Sequence, residues 1–548
     1  MGEGDWEKTD PPELQFNPLD IPYVLQLVLK NLSVWNLRKC RLVCKYWNSE
    51  ATSVMRKLSK ISIRTENALE ELMSQDLSKL CQSFDLKNEV KLKSTQTQDF
   101  FKRFGDNMKS LDISFHHEYG SAVIAEIFPY TPNVEELCLN GRAHFLYDEN
   151  SRNTLMRVLP KLKCLFIYDS SFDLNGFEPR RIWAENVFHI LSGAVNLEKI
   201  FYAPFLESRA KMFFEILKCQ PVHHSNLSHL HINHLWMNPE ETDTLVAQKY
   251  PLKYIHLVLT SHISRNSLNG LLSSVKETLR ELTLTFTDGT SCLEFHPISP
   301  LDKIRKLSMI GYDGPLIVAN APALQLFVIS LPDSTISPGN IWINPDLEGL
   351  EIYDFQIKYN LDYLKALFKM FESLKLLKIN NVNNDILRAV YAYLPKLCEL
   401  RTCFHKFYGV ASSRIDSGLN GLASNKHDEE LLELWDDRDV NHLRMNPWMG
   451  QLKHLKHLTL EVGLISDFGI VLGMARCKTL KELILKNTGG HFEDSGDSRL
   501  ILTDRSLRVI TEEMDLHYLK IDGFSHMFSS TAIEQAKECM ASREFIIV

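Results

Sequence analysis

The chain has 548 residues, 61 lysines and arginines against 69 aspartates and glutamates, and a formal net charge of −8. This length exceeds that of one ordinary domain, so we expect either several domains or an elongated array of repeats. A mildly acidic chain does not favour general binding to nucleic acids, which needs a concentrated basic face. The sequence contains no run of about eighteen apolar residues and therefore predicts no membrane span.

The first part of the chain divides into a flexible tail over residues 1–18 and a helical segment over residues 19–55. Apolar residues three and four apart predict a helix with one apolar side: Leu25, Val28, Leu29 and Leu32. Others follow at helical spacing on shorter helices: Leu37, Cys40, Leu42, Val43 and Trp47. A segment of about forty residues buries little apolar surface by itself, so we expect its exposed apolar side to contact a partner helix or the neighbouring domain.

The basic stretch RKCRLVCK within this segment allows two other interpretations. Its cations could contact DNA phosphates in a helix-turn-helix, but they are few and the rest of the chain is acidic. Cys40 and Cys44 lie one helical turn apart and could bind a metal ion. Without two further ligands nearby, we expect these cysteines to belong to the core instead.

Residues 56–107 contain a strand-like stretch, KLSKISIRT, a helix-like stretch, ENALEELMS, and FFKRFG. We interpret them as a linker and an N-terminal cap, which covers the open end of the repeat array that follows.

From residue 108 onward, the pattern apolar-x-x-apolar-x-apolar recurs about every 29 residues, close to the period of leucine-rich repeats. It runs from Met108-Leu111-Ile113 to Leu516-Leu519-Ile521, with helix-like segments such as SRAKMFFEILKCQ between many copies. The pattern predicts an α/β leucine-rich-repeat solenoid, preceded by the small all-helical segment. We expect a curved parallel sheet on the concave side of the solenoid and helices and loops on its convex side.

Two stretches interrupt this rhythm. Residues 287–345 are rich in Pro, Gly and Ser, which predicts that helices are lost there. The anchors Leu397 and Leu455 are 58 residues apart, which fits either a hidden degenerate repeat or an inserted loop. We favour a loop over residues 404–450, with an acidic helix near 429–435, between the repeats at 108–403 and the final repeats and C-terminal cap at 451–548.

The residue order in LDIPYVLQLVLKNLSVWNLRKCRLVCKYWN resembles the F-box motif, although the Leu-Pro of its first turn is not cleanly present. The resemblance rests on Val28 to Ser33, Leu37, Arg41 to Cys44 and Trp47. An F-box followed by leucine-rich repeats is the architecture of the F-box/LRR family, which the whole chain resembles.

This resemblance implies a non-catalytic substrate receptor of a Skp-cullin-F-box ubiquitin ligase. The F-box would bind a Skp-family linker protein and, through it, cullin and RING subunits, while the repeats hold an unknown protein substrate for ubiquitylation and degradation. The resemblance also implies the residues that form or support the linker interface: Leu25, Val28, Leu29, Leu32, Leu37, Val43 and Trp47.

Side chains alternate along a strand, so the residues between the anchors face outward on the concave side. One column there has aromatic residues and histidines in its early repeats and charged residues later. Exposed aromatic clusters favour protein binding, so we expect the substrate to contact this face, unless a helix, a loop or the insertion covers it. The candidates are Phe166, Tyr168, Phe201, His229, His231, Tyr254, His256, Lys378 and Arg401. The histidines have no acidic or Cys fourth ligand in register, so we do not expect zinc.

The sequence contains none of the common motifs of hydrolases, metalloproteases, P-loop proteins or dinucleotide-binding enzymes, so we expect no catalysis and no cofactor. The alternatives to a ligase receptor are a non-degradative repeat scaffold and a solenoid that binds a small ligand in a basic pocket. The acidic start of the chain and its scattered cysteines do not favour secretion. We therefore expect a cytoplasmic and/or nuclear protein with no nucleic-acid or membrane partner.

Overall fold

The structure is a computed structural model of the chain. It describes residues 22–58, 60–74, 82–87, 90, 94–115, 127–141, 159–169, 187, 190–203, 207–219, 225–233, 238–259, 263–286, 300–311, 316–318, 321–331, 341–343, 346–354, 361–380, 382–403, 415–422, 444, 446–462, 465–487 and 502–548. Within these ranges, no helix has the length and apolar character needed to span a membrane. The chain forms two compact units, residues 1–226 and residues 227–548.

The first unit begins with helices α1 (Pro22–Lys30), α2 (Val34–Cys40) and α3 (Lys45–Leu58). Ser33 begins α2, because its hydroxyl accepts a hydrogen bond from the N–H of Asn36 at 3.3 Å and satisfies a donor that the helix leaves unpaired. Apolar side chains of the three helices form a small core of their own: Leu25, Leu29, Leu37, Ala51 and Val54.

A parallel sheet follows these helices in the first unit. Its strands pair in chain order: β1 (Lys60–Ile63), β2 (Ser83–Leu86), β3 (Ser110–Phe115), β4 (Glu136–Gly141), β5 (Cys164–Asp169) and β6 (Lys199–Ala203). The same unit contains helices α4 (Glu66–Ser74), α5 (Thr95–Phe104) and α6 (Glu207–Cys219).

The segment that we expected to cap the repeats contributes strands to this sheet. Phe84 of β2 lies in register with Leu111 of β3, and Leu86 lies in register with Ile113. Phe84 also packs edge-on against Phe100 of α5, with ring centroids 5.4 Å apart. The sheet therefore extends through β2 to the strand-like stretch that forms β1, before the first predicted anchor, and the role of residues 56–107 as a cap stays a prediction. The repeat pattern did not predict β2, because a phenylalanine replaces the middle leucine there.

The second unit is built on a parallel sheet of the same kind. Its strands pair in the order β7 (His229–Ile232), β8 (Tyr254–Leu259), β9 (Glu281–Phe286), β10 (Lys306–Ile310), β12 (Leu326–Leu331), β14 (Gly349–Asp354), β15 (Leu376–Asn380), β16 (Glu399–Cys403), β17 (His457–Val462), β18 (Glu482–Asn487), β19 (Tyr518–Asp522) and β20 (Glu544–Ile547). Its helices are α7 (Pro239–Gln248), α8 (Arg265–Val275), α9 (Leu361–Met370), α10 (Asn384–Tyr393), α11 (Asp416–Asn420), α12 (Asp504–Glu513) and α13 (Ser530–Cys539), with a π-helix at Gly469–Gly473.

The anchors of the repeat pattern lie in register, which confirms the predicted fold class. In the second unit, Leu350 lies beside Leu377, Leu377 lies beside Leu400, and all three side chains are fully buried. Each repeat covers the anchors of its neighbour, because one strand and its return segment cannot bury them alone.

Two short strands lie between β9 and β14 in the second unit. β11 (Leu316–Val318) pairs in parallel with β13 (Ile341–Ile343) in a separate two-stranded sheet. The described residues between β9 and β14 contain no helix. The Pro, Gly and Ser content of this stretch had predicted this loss.

The long interval before Leu455 adds no strand to the main sheet, because β16 pairs directly with β17. The interval contains α11, and Asn384 at the start of α10 accepts a hydrogen bond from the N–H of Gly418 in α11 at 2.6 Å. Residues 415–422 therefore form a return segment like those of the neighbouring repeats. The expected acidic helix near 429–435 lies outside the described residues.

Candidate functional site

The predicted linker-binding residues divide between the core and the surface of helices α1, α2 and α3. Leu25, Leu29 and Leu37 are completely buried inside the three-helix core. Leu32 and Trp47 are half-buried and pack against that core. Two predicted residues remain exposed on this free chain: Val28 (41 %) and Val43 (63 %). The buried and half-buried residues support the surface, whereas the exposed valines are available for contact.

The segment from α1 to α3 exposes three apolar residues that the predicted interface left out. Leu42 is 86 % exposed, Tyr23 is 70 % exposed and Leu27 is also exposed. Leu42 and Val43 lie in the turn between α2 and α3, where their N–H groups donate to the carbonyl oxygens of Lys39 and Cys40. Helical spacing does not predict which side chains a turn presents. The adjacent pair Leu42-Val43 in an otherwise basic stretch was the available signal.

Polar contacts hold the helices of the F-box together. Gln26 of α1 donates to Glu50 of α3 at 2.8 Å, and Arg41 donates to Asn48 of α3 at 2.9 Å. Cys40 packs against the core, as expected from the sequence. Cys44 is exposed, so the expectation that it belongs to the core is wrong, and its sulfur accepts a hydrogen bond from the N–H of Trp47 at 3.4 Å. The part of the chain that the structure describes contains no group of three metal-binding side chains.

Three predicted substrate residues meet on the sheet of the first unit. Phe166 and Phe201 lie in register on β5 and β6, with ring centroids 6.0 Å apart. Tyr168 approaches Phe201 to 4.9 Å between ring centroids. All three side chains are half-buried, so part of each ring remains accessible. We call these residues the aromatic cluster. It offers a partner a large apolar area on side chains with few torsions to fix.

The strands beside the aromatic cluster carry a thiol and an ion pair. Cys138 of β4 lies in register with both Asp112 of β3 and Phe166 of β5. Burial, together with the negative charge of Asp112, raises the pKa of the Cys138 thiol to about 12. Lys60 forms an ion pair with Asp112 at 2.7 Å. Cys138 is therefore a neutral thiol at physiological pH, without the thiolate character of a nucleophile.

The predicted histidines form two pairs in the second unit. His229 of β7 stacks on Tyr254 of β8, with ring centroids 3.9 Å apart. His231 and His256 lie in register on the same strands, with ring centroids 3.9 Å apart. Burial, with a contribution from His256, lowers the pKa of His231 to about 4, and burial lowers the pKa of His256 as well. The His231–His256 pair is therefore neutral at physiological pH.

The predicted cations of the second unit are paired with carboxylates. Lys378 donates to the hydroxyl of Tyr353 at 2.6 Å, lies 4.9 Å from the centre of that ring, and approaches Glu351 to 3.9 Å. Arg401 forms an ion pair with Glu399 on its own strand. Lys378 and Arg401 lie in register on β15 and β16, but this neutralised arrangement is not an open basic pocket.

The nine predicted substrate residues are thus divided between the two units. The aromatic cluster lies in the first unit, and the histidine pairs, Lys378 and Arg401 lie in the second. In both units, the position between the last two anchors lines up from strand to strand, as the alternation of side chains predicted.

Comparison with known proteins gives one family match and several distant structural similarities. The F-box domain family matches residues 18–59. No curated protein matches the chain. One similar structure is that of the yeast Rad7 and Elc1 complex, with 14 % identity, a TM-score of 0.34 and coverage of 71 % of this chain and 91 % of that chain. Another is the leucine-rich-repeat-containing protein LegL7 from Legionella pneumophila, with 12 % identity, a TM-score of 0.34 and coverage of 63 % and 91 %.

The family match at residues 18–59 agrees with the three N-terminal helices and supports a general role for this domain. F-box domains bind Skp-family linkers, so this domain supports a general role in substrate recognition by Skp-cullin-F-box ligases. An F-box joined to leucine-rich repeats is typical of non-catalytic adaptor subunits. The chain therefore combines an F-box domain at residues 18–59 with parallel sheets built on a leucine-rich-repeat pattern.

Proposed function

We propose that this protein is the substrate-recognition subunit of a Skp-cullin-F-box ubiquitin ligase. Its F-box binds a Skp-family linker, and its repeats hold a target protein for ubiquitylation and proteasomal degradation by the assembled complex. The observation that carries the proposal is the exposure of Leu42 and Val43 in the turn between α2 and α3 of the F-box.

An adjacent pair of large apolar side chains in water is unfavourable unless a partner covers it. Complete burial of a leucine or valine side chain contributes about 1.5–3 kcal/mol, so the pair would supply a substantial part of a binding energy. Val28 and Tyr23 expose further apolar surface on α1. The completely buried residues of the F-box core hold these side chains in place without contacting the linker.

The target would contact the sheets of the two units. The aromatic cluster supports this assignment in the first unit, because half-buried aromatic side chains are frequent at the centres of protein interfaces. In the second unit, we propose contacts through His229, His231, Tyr254, His256, Lys378 and Arg401. The ion pairs of Lys378 and Arg401 with carboxylates do not favour the alternative in which the sheet binds a small anionic ligand.

We also place the complex in the cytoplasm or the nucleus. Cysteines that the structure describes at positions 40, 44, 138, 164, 398, 477 and 539 are free thiols, which fits a reducing compartment.

The double substitution Leu42→Asp with Val43→Asp tests the F-box assignment. We expect it to abolish co-purification with a Skp-family linker, because two carboxylates cannot be buried there without partners. Val195→Asp is the matched control, since it also places a charge at an exposed apolar position of the same unit. Unchanged linker binding by the double variant would contradict the proposal. Stabilisation of a captured target after depletion of the protein would distinguish a ligase receptor from a non-degradative scaffold.

A further inference from the structure

A group of cations surrounds the starts of β17 and β18 in the second unit. Its members, which we call the basic patch, are Arg444, Lys453, Lys456, Arg476 and Lys478. Lys456 immediately precedes β17, and its carbonyl oxygen accepts a hydrogen bond from the N–H of Lys481, which immediately precedes β18. The two strands are in register, so neighbouring positions on them lie about 4.8 Å apart.

The turns before the two strands are equivalent and touch each other. The N–H of Leu455 donates to the carbonyl oxygen of Leu452, and the N–H of Leu480 donates to that of Cys477 in the same way. The thiol of Cys477 lies 3.9 Å from the carbonyl oxygen of Leu452. Lys453 and Lys478 follow Leu452 and Cys477 directly, and both are exposed. Cations of consecutive repeats therefore lie side by side.

Arg444 and Arg476 are the half-buried members of the basic patch. The guanidinium of Arg444 stacks on the Trp448 ring at 3.2 Å from its centre and donates to the carbonyl oxygen of Leu472 at 2.9 Å. Its Nε and Nη1 atoms are buried and have no acceptor among the described residues. Burial and the charge of Arg476 lower the pKa of Arg444 to about 10, so the arginine remains charged at physiological pH. Arg476 is half-buried.

Carboxylates neutralise some of the comparable cations elsewhere in the chain. Lys375, immediately before β15, forms an ion pair at 2.6 Å with Glu348, immediately before β14. Lys163 in the first unit pairs with Glu135 at 2.8 Å. Of the residues that the structure describes, no carboxylate lies within ion-pair distance of any member of the basic patch. Adjacent like charges are unfavourable, and they persist here in a chain with a net charge of −8.

We propose that the basic patch binds an acidic segment of a partner protein. Carboxylates of an extended acidic peptide can pair with cations on neighbouring strands, and the arginine pair gives the site a fixed centre of positive charge. The patch spans two adjacent strands within an acidic protein, which favours a short acidic peptide over a long nucleic-acid polyanion. The patch shares no residue with the F-box surface or the predicted substrate residues, so the inference does not depend on the proposed function.

Fluorescence anisotropy of a labelled hexaglutamate peptide with the full chain tests the inference. We expect saturable binding that weakens as salt concentration rises, because the contacts are ionic and partly exposed. The triple substitution Lys453→Glu, Lys456→Glu and Lys478→Glu reverses three exposed charges, and we expect it to weaken binding by about tenfold or more. Arg476→Gln should weaken it by several-fold while removing only one charge.

A matched control variant alters the net charge of the protein by the same amount, at equivalent positions before other strands of the sheet. Lys253, Arg280 and Arg305 immediately precede β8, β9 and β10, are exposed, and form no ion pair among the described residues, but no described arginine stacked on an aromatic ring, as Arg444 is, lies in the turns before them. Their triple substitution by glutamate should leave peptide binding within about twofold of the wild type. Equal loss in both triple variants, with unchanged melting temperatures, would overturn the inference, because net charge alone would then explain binding. Absence of wild-type binding, or tighter binding of a single-stranded DNA of equal charge, would also overturn it.

Discussion

Asp416 and Ser466 are fifty residues apart in sequence and share two hydrogen bonds in the interior of the second unit. The carboxylate of Asp416 accepts from the N–H of Ser466 at 3.0 Å and from its hydroxyl at 2.6 Å. Asp467 makes an equivalent contact with the next return segment, where its carboxylate accepts a hydrogen bond from the N–H of Thr503 at 2.8 Å. Buried carboxylates thus join consecutive return segments, and each satisfies a backbone donor that begins the next segment.

Loss of the Asp416 carboxylate should destabilise the second unit. We expect Asp416→Ala to lower the free energy of unfolding by roughly 2–4 kcal/mol, because the buried N–H and hydroxyl of Ser466 lose their hydrogen bonds to this carboxylate. Denaturant titration followed by circular dichroism would measure the change. Asp362→Ala is the control, since that carboxylate is 88 % exposed in α9 and should change stability by less than about 0.5 kcal/mol. Equal effects at the two positions would contradict the role of the buried bonds.

A substitution at Gly469 provides a second test of the buried Asp416 carboxylate. A Cβ atom added at Gly469 would lie 2.5 Å from the Oδ1 atom of Asp416, so a side chain must displace that carboxylate. Glycine to alanine within a helix is normally stabilising, by about 0.5–1 kcal/mol. We expect Gly469→Ala to have the opposite sign and lower the midpoint of thermal unfolding.

The matched control for Gly469 is Gly270 in α8. The nearest atom to a Cβ at Gly270 is a methyl carbon of Val246 at 3.9 Å, which is an ordinary contact. Gly270→Ala should therefore keep or raise the unfolding midpoint. A rise in both variants would show that Asp416 moves away without cost.

The leucine anchors make a further prediction about stability. Leu377 is completely buried between Leu350 and Leu400, so Leu377→Ala should cost about 2–5 kcal/mol by leaving a cavity. Its neighbour Leu376 is only half-buried, and Leu376→Ala should cost less. Calorimetry of the two variants would compare them directly. A larger loss at Leu376 would mean that the side chains of β15 face the opposite way.

Periodicity alone predicted most of the sheets, because an anchor such as Leu350 must be buried in every repeat for the stack to form. The pattern did not reveal β2, where Phe84 takes the anchor position and packs on Phe100. It also gave no sign of the contact between Asp416 and Ser466. That contact depends on how return segments of unequal length align in three dimensions. A fixed sequence spacing does not predict this alignment.

The sites were less predictable than the fold. The sequence placed Phe166 beside Phe201 correctly, since register follows from the shared anchors. It named Lys378 and Arg401 as candidates but did not predict their pairing with Glu351 and Glu399, because that pairing depends on rotamers and not on spacing. Leu42 was missed for a related reason, as the turn between two short helices decides its exposure.

The aromatic cluster predicts a separation between target binding and linker binding. Phe201 contacts both Phe166 and Tyr168, so Phe201→Ala removes the ring that joins the cluster. We expect the captured target to bind about tenfold or more weakly, as is typical of central aromatic residues in interfaces, while linker binding is unchanged. Quantitative co-purification from cells would measure both, with Lys199→Ala at an exposed position of β6 as the control. Equal loss of linker and target would indicate misfolding and contradict the assignment.

The His231–His256 pair predicts how stability depends on pH. In the unfolded chain, both imidazoles have a pKa near 6.5, whereas the pKa of His231 in the folded chain is about 4 and that of His256 is lowered. Between pH 6.5 and 4, the unfolded chain therefore binds protons that the folded chain does not bind. The contribution of the pair to stability is fully present above pH 6.5 and falls as the pH decreases through this window.

We expect His231→Gln to reduce this loss of stability, because the substitution removes the group with the large pKa shift. Denaturant midpoints at pH 7.5 and pH 5 in both proteins would measure the effect, and the carboxylates that both proteins share largely cancel in the comparison. An identical decrease in wild type and variant would show that folding does not lower the pKa of His231.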